Sequence, residues 1–261
     1  MSDDLLKKAT EALNDLVRNT PYCNAAIPHA AEGTPFSLEI GGDCRMLAEE
    51  MRRRLVEVGV TDAWVSEQQN HDGDRRHAAA FGVIDGQLYL FDAAALATQP
   101  IPVNGIAGEY PAFPIVRGSF STIHVTPVAN GSFETRIVSP HTPRGSDYAI
   151  QFTPEIRTTF DGSDLDLHTS LIGRNFVLKT LDENGALWIT SYNLRNKNVV
   201  IKIIGMDGKP HEYRIRKKRG KVFDDALEVV AERVGMESVD NLMAYFSKAA
   251  QICLDAKERL N

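Results

Sequence analysis

Helical and strand-like patterns occupy separate stretches of this chain, and that segregation restricts its architecture more than any other feature. Leu5, Leu6, Ala9, Leu13, Leu16 and Val17 recur near helical spacing over residues 3–18. Leu47, Met51, Leu55 and Val58 form a second stripe on a helix that opens after "EIGGD" and stops at Gly59. From residue 62 the period changes to that of strands. "DAWVSEQ", "AAAFGVI" and "QLYLFDA" come first, and "IDGQ" between the last two carries an Asp-Gly hairpin signal. "FSTIHVTPV", "FETRIV", "YAIQFTP", "FVLKTLD", "LWITSYNL", "VVIKIIG" and "EYRIRK" follow, with "DENGA" and "MDGKP" as hairpin loops. Helical spacing returns only at residue 222, with one stripe through Phe223, Leu227, Val230 and Val234 and another through Leu242, Phe246, Ala249 and Cys253. A doubly wound sheet needs helices alternating with strands. Segregated elements and antiparallel hairpins predict an α+β fold instead. The proline-punctuated stretches 19–36 and 97–114 read as loops.

The 261 residues suffice for one large domain or a few small ones packed together. A net charge of -6 argues against a nucleic-acid partner. The local basic run "RIRKKRGK" at 214–221 reads as a solvated turn between a strand and a helix, with a phosphate-binding patch as the alternative. The N-terminus "MSDDLLKKATEAL" lacks the basic and apolar regions of a signal peptide, and no apolar run reaches membrane-spanning length. The expectation is a soluble, cytoplasmic protein with no membrane partner.

Three widely spaced cysteines, Cys23, Cys44 and Cys253, form no disulfide framework and no zinc motif. No His/Cys/Asp/Glu cluster has metal-ligand spacing, and no glycine-rich loop matches a nucleotide fingerprint. Cys44 differs from the other two in its setting. It stands at the first turn of a helix, where the positive end of the macrodipole favours thiolate over thiol. Gly41 and Gly42 let the backbone enter that helix tightly and leave backbone N–H groups that could serve an oxyanion. Asp43 opposes thiolate formation unless its carboxylate is used to cap the helix. Cys253 lies on an apolar helical stripe and reads as core. Cys23 reads as an exposed loop thiol without a base.

A nucleophilic thiol needs a base, and the base needs an orienting partner. His77 opens the strand "HAAAFGVI", and Asp92 ends the next strand, "QLYLFD". If the two strands pair antiparallel through the Asp-Gly turn, the start of one meets the end of the other, and His77 lies beside Asp92. An aspartate after "LYLF" sits near the core and needs a partner. Cys44, His77 and Asp92 therefore make a candidate Cys-His-Asp triad. His71, His124, His141, His168 and His211 have no comparable arrangement.

These residues resemble the arylamine N-acetyltransferases, which carry Gly-Gly-x-Cys at a helix start, a histidine opening a strand and an aspartate at the end of the next. "TPYCN" at 20–24 is similar to that family's Pro-Phe-Glu-Asn segment, and "YLFDAAALATQPIPV" resembles its stretch from the aspartate to Pro-Leu-Pro-Leu. The segment "YAIQFTPEIRTTFDGSDLDLHTSLIGRNFVLKT" is similar to a later family stretch. The resemblance implies a helical domain carrying the nucleophile (residues 1–62), an antiparallel β-barrel carrying the histidine and aspartate (63–155), and a strand-rich α/β lid with C-terminal helices (156–261). It also implies acyl transfer through an acyl-cysteine from acetyl-CoA or another acyl thioester to a small-molecule amine, with no permanently bound cofactor. This chain departs from the pattern at Ile40, where the family has arginine, at Asp43, where it has an aromatic, and at Ala93–Ala95, where it has a glycine-bearing loop. The three alanines predict weak use of acetyl-CoA, with Arg174, Lys217, Lys218 and Arg219 as the remaining basic groups for a nucleotide. An amide synthase, a transglutaminase-like hydrolase and a silent binding protein on the same scaffold are the alternatives.

Overall fold

In the computed structural model, residues 2–35, 37–69, 76–116, 119–138, 149–159, 175–204, 212–217 and 220–260 are described. The chain opens with α1 (Ser2–Asn19), β1 (Tyr22–Cys23), α2 (Ala26–Ala31) and α3 (Cys44–Glu57). A run of strands follows: β2 (Ala63–Gln69), β3 (Arg76–Ile84), β4 (Gln87–Phe91), β5 (Ile101–Pro102), β6 (Gly108–Val116), β7 (Ser119–Pro127), β8 (Phe133–Val138) and β9 (Ala149–Phe152). The last part holds β10 (Asn175–Leu181), β11 (Leu187–Asn193), β12 (Val199–Ile204), β13 (Glu212–Arg216), α4 (Lys221–Arg233) and α5 (Val239–Leu260). The α+β class is as expected. His71, His141, His168, His211, Arg174, Lys218, Arg219 and the "MDGKP" loop lie outside the described residues.

The strands form three antiparallel sheets, ordered β2-β3-β4-β5, β6-β7-β8-β9 and β1-β10-β11-β12-β13. Among the described residues these sheets are open, which corrects the expected closed β-barrel. Single bridges, Ala97 with Ala112 and Val65 with Thr158, link neighbouring edges where a barrel would have a continuous ladder. Proline supplies one reason. Pro111 and Pro114 lie in β6, and Pro102 ends β5, so these edges lack amide donors for further pairing. Pro111 contributes only its carbonyl, which accepts both the backbone N–H and the Oγ1 hydroxyl of Thr98.

Four elements, β1, α2, β5 and most of β6, arise where the sequence reads as loop. Pro28 sits in the first turn of α2, where a helix needs no N–H from it. Cys23 is buried rather than exposed, because β1 pairs with β10 and places it in the core under α4 and α5. The first core joins α1 and α3 to both four-stranded sheets through Leu13, Leu16, Met51, Leu55, Phe81 and Phe152. The five-stranded sheet divides its side chains between the two cores. Phe176 and Leu178 face the helices α4 and α5, whereas Leu181 and Ile189 pack against the first core.

Candidate active site

The start of α3 is built by its own sequence. Asp43 is the N-cap, extended in backbone, and its Oδ1 accepts from the N–H groups of Arg45 and Met46 at 3.1 Å each. Cys44 is thereby the first helical residue. The other Asp43 oxygen accepts from Arg45 Nε at 2.9 Å, and both side chains are buried. The carboxylate beside the thiol is thus matched by a guanidinium as well as by the helix N-terminus, which resolves the conflict that Asp43 presents in the sequence. Removing it leaves a buried cation with one counter-charge fewer. Asp43→Ala is expected to lower stability by about 3 kcal/mol, while Asp43→Asn, which can still cap, loses less. Chemical denaturation measures this, and a loss under about 1 kcal/mol for the alanine variant would refute the assignment.

The two glycines before the cap have a structural use that the sequence does not reveal. Gly41 has φ +81°, and a Cβ there would lie 1.9 Å from the Pro21 carbonyl oxygen. This is a backbone-on-backbone approach that only glycine permits. Gly42 N–H donates to that same carbonyl, and Cys23 N–H donates to the Gly42 carbonyl at 2.8 Å. Gly41 N–H donates to the Ser37 carbonyl. Neither glycine amide is left for an oxyanion, contrary to expectation. The Cys44 N–H itself takes no backbone partner among the described residues.

The hairpin of β3 and β4 brings the next two residues together. Asp85 and Gly86 both adopt positive φ, as the tight Asp-Gly turn requires. The ladder runs from Ile84–Gln87 to Ala80–Phe91, so the start of β3 meets the chain just past β4. His77 Nε2 lies 2.8 Å from Asp92 Oδ2, with both side chains buried. Asp92 Oδ1 accepts from Ala95 N–H at 2.9 Å, which fixes the carboxylate. The His77 and Phe152 rings meet edge to face, with centroids 6.0 Å apart.

Cys44 completes the group. It packs with Ala48, Val65 and Ala78, and the small Ala78 beside His77 lets α3 come close to β3. The sulfur is near enough to His77 to act on the imidazole. With Nε2 on Asp92, proton exchange with the sulfur would use Nδ1. Burial pulls the imidazole pKa down. The charge and hydrogen bond of Asp92, then those of Cys44, outweigh it and carry the value up to about 10. The other thiols are set apart by burial, which pushes Cys23 up to about 12 and Cys253 up to about 11. Cys44 alone of the three is not fully buried.

No protein-family model matches the sequence, and neither does any curated protein. Solved structures do. The arylamine N-acetyltransferase of M. smegmatis superposes with a TM-score of 0.61 at 14% identity, covering 95% of this chain and 92% of that one. The chain has the fold of the arylamine N-acetyltransferases. The Mycobacterium abscessus enzyme gives a TM-score of 0.61 at 10% identity over 94% and 88% of the two chains. Arylamine N-acetyltransferase C from Bacillus anthracis gives 0.53 at 14% over 90% and 100%. Against that fold, the departure at Ala93–Ala95 acquires a geometry. All three alanines are buried, and the amides of Ala95, Leu96 and Ala97 are used within the turn. Ala95 donates to Asp92 Oδ1, Leu96 to the Ala93 carbonyl and Ala97 to the Asp92 carbonyl. Among the described residues there is no group of three metal-ligating side chains, and no described helix is long and apolar enough to cross a membrane.

Lys179 is the residue near this site that the sequence does not reveal. It alternates with Leu178 and Thr180 along β10 and reads as a solvent-facing strand position. Its Nζ instead lies 4.7 Å from the centre of the Tyr22 ring, within electrostatic reach of Asp92 and Cys44. His124, by contrast, sits on β7 beside Thr122 and opposite Glu109 of β6.

Proposed function

We propose that this protein is a cysteine acyltransferase, with Cys44 as nucleophile and acyl carrier, His77 as base and Asp92 as the group that orients the imidazole. The observation that carries the reading is the 2.8 Å contact of Asp92 with His77 Nε2, made by a histidine whose imidazole also feels a thiol at a helix N-terminus. A protonated imidazole would donate from Nε2 to Asp92 and from its other nitrogen toward the Cys44 sulfur, so the pair is suited to a thiolate facing an imidazolium.

In the first half-reaction the Cys44 thiolate adds to a thioester carbonyl, and the Cys44 N–H donates to the developing oxyanion. The donor C–S bond breaks, and its sulfur leaves with the proton held on His77. In the second half-reaction an amine adds to the acyl-cysteine, His77 takes the amine proton, and the Cys44 thiolate departs. The fold shared with arylamine N-acetyltransferases supports acyl transfer to a small amine. The amides of residues 95–97, used within the turn, and the buried methyl groups of Ala93–Ala95 favour a donor other than acetyl-CoA, as in an amide synthase, because they offer a pyrophosphate little to bind.

Thiol labelling tests the core of this reading. Cys44 is expected to alkylate with iodoacetamide at pH ~6, below the ordinary thiol range of about 8.5, while Cys23 and Cys253 stay unlabelled in the folded protein. Labelling of Cys44 no faster than a free thiol peptide would refute it. Rapid, stoichiometric acetylation of Cys44 by acetyl-CoA would keep the triad and overturn the donor preference.

A further inference from the structure

The face of β10 that turns toward the first core carries one charged side chain, Lys179, between the apolar Val177 and Leu181. Register fixes where it lies. Lys179 pairs with Tyr22, and Tyr22 bridges on its other side to Gly42, two residues before the thiol. The ammonium sits over the Tyr22 ring, and Tyr22 packs on the same core as Cys44. The side chain is half-buried and has neither a carboxylate within ion-pair distance nor a hydrogen bond among the described residues. Burial pulls its pKa below the usual lysine range, and the charges of Asp92 and Cys44 oppose that pull. Neither group forms an ion pair with the ammonium, so a half-buried cation in this position lacks a direct partner, and an incoming carboxylate would supply one.

We propose that Lys179 selects the acyl group, and that the natural donor is a thioester of a short dicarboxylic acid whose free carboxylate pairs with the Lys179 ammonium while its thioester carbonyl meets Cys44. The inference rests on the acyltransferase reading and specifies its donor class. It also accounts for the shape of the departure at Ala93–Ala95, since recognition moves from the nucleotide end of the donor to the acyl end.

The test compares reagents that differ only in charge. Cys44 is alkylated with iodoacetate and with iodoacetamide, and the ratio of the two rates is taken relative to the same ratio for a free thiol peptide. In the intact protein the anionic reagent is expected to be favoured roughly tenfold over that reference. The excess is expected to disappear in Lys179→Met and to survive in Lys179→Arg. In parallel, the succinyl and acetyl thioesters of N-acetylcysteamine are presented at equal concentration, and the acyl group on Cys44 is read by intact mass. Succinyl is expected to dominate in the natural protein and to lose that advantage in Lys179→Met. A natural protein with the free-thiol ratio and equal or greater acetylation overturns the proposal. So does an advantage that persists in Lys179→Met. If Lys179→Met does not fold, the ratios of the natural protein and Lys179→Arg still decide. Slow labelling of Cys44 by both alkylating reagents would bring down the acyltransferase reading itself, whereas rapid labelling without charge preference removes only the role of Lys179.

Discussion

Replacing Asp92 by asparagine is expected to reduce turnover about 10⁴-fold, the scale seen when the orienting carboxylate of a catalytic triad becomes an amide. The size of the effect follows from the geometry. Asp92 Oδ2 accepts the proton of His77 Nε2, and Oδ1 accepts from Ala95 N–H. An asparagine that keeps the Ala95 bond through its oxygen presents its NH₂ to His77. The ring then holds its proton on the nitrogen that faces sulfur, where it cannot accept one from Cys44. His77→Ala, which removes the base altogether, is expected to lose about as much. Alkylation of Cys44 near neutral pH should slow in both variants, while binding of a neutral acceptor amine should change little. Turnover within about tenfold of the natural protein in Asp92→Asn would exclude Asp92 as the orienting group. A pH signature accompanies this. The folded-state pKa of His77 is raised, so the stability its charge supplies is complete below the unfolded value of about 6.5 and fades as pH rises through about 10. In Asp92→Asn the largest favourable cause is gone, and that loss is expected to be smaller and complete at lower pH.

Among the described glycines, Gly41→Ala is expected to be the most damaging replacement. The new Cβ would need to occupy space 1.9 Å from Pro21 O and 2.6 Å from Pro21 C, both backbone atoms. The φ of +81° adds strain of about 1–3 kcal/mol for a non-glycine residue. The turn can relieve the clash only by moving away from Pro21, which breaks the bonds linking Gly42 with Pro21 and Cys23. Cys44 follows two residues later, and displacement of a reacting atom by about 1 Å costs on the order of 10²-fold in rate. Gly33→Ala provides the control. Its φ is +83°, but a Cβ there meets nothing within 4 Å, so it reports the cost of the backbone angle alone. Equal stability and equal Cys44 labelling in the two variants would show that the Pro21 contact does not position the thiol.

How much of this was legible in the sequence depended on how far apart the interacting residues lie. His77 and Asp92 are fifteen residues apart and joined by an Asp-Gly turn, so strand period and turn chemistry alone bring them together. The cap at Asp43 is likewise local, because an N-cap side chain reaches only two or three residues on. What escaped depends on distant partners. β1 is two residues long and exists only because β10 lies beside it, more than 150 residues later. β6 was hidden by Pro111 and Pro114, which are tolerated because the strand lies at the edge of its sheet. The open sheets were misjudged for a related reason, since strand patterns do not say which edges close. Lys179 escaped because alternation shows that two faces exist without saying which is wet. On β10 both are covered, one by α4 and α5 and the other by the first core.

The short pairing of Tyr22 with Lys179 has a consequence for how the molecule comes into being on the ribosome. The turn that carries Cys44 leans on Pro21 and Tyr22, and Tyr22 is held in turn by a strand encoded near residue 180. Helix α3 and the hairpin of His77 and Asp92 are complete in the nascent chain well before that strand emerges. At translation rates of roughly 5–20 residues per second, seconds pass in which the thiol, histidine and aspartate all exist while the ledge beneath the thiol does not. A chain arrested in that interval carries every residue of the triad without the support that aligns them. The last third of the polypeptide thus acts as the final checkpoint on a nucleophile laid down in its first fifth.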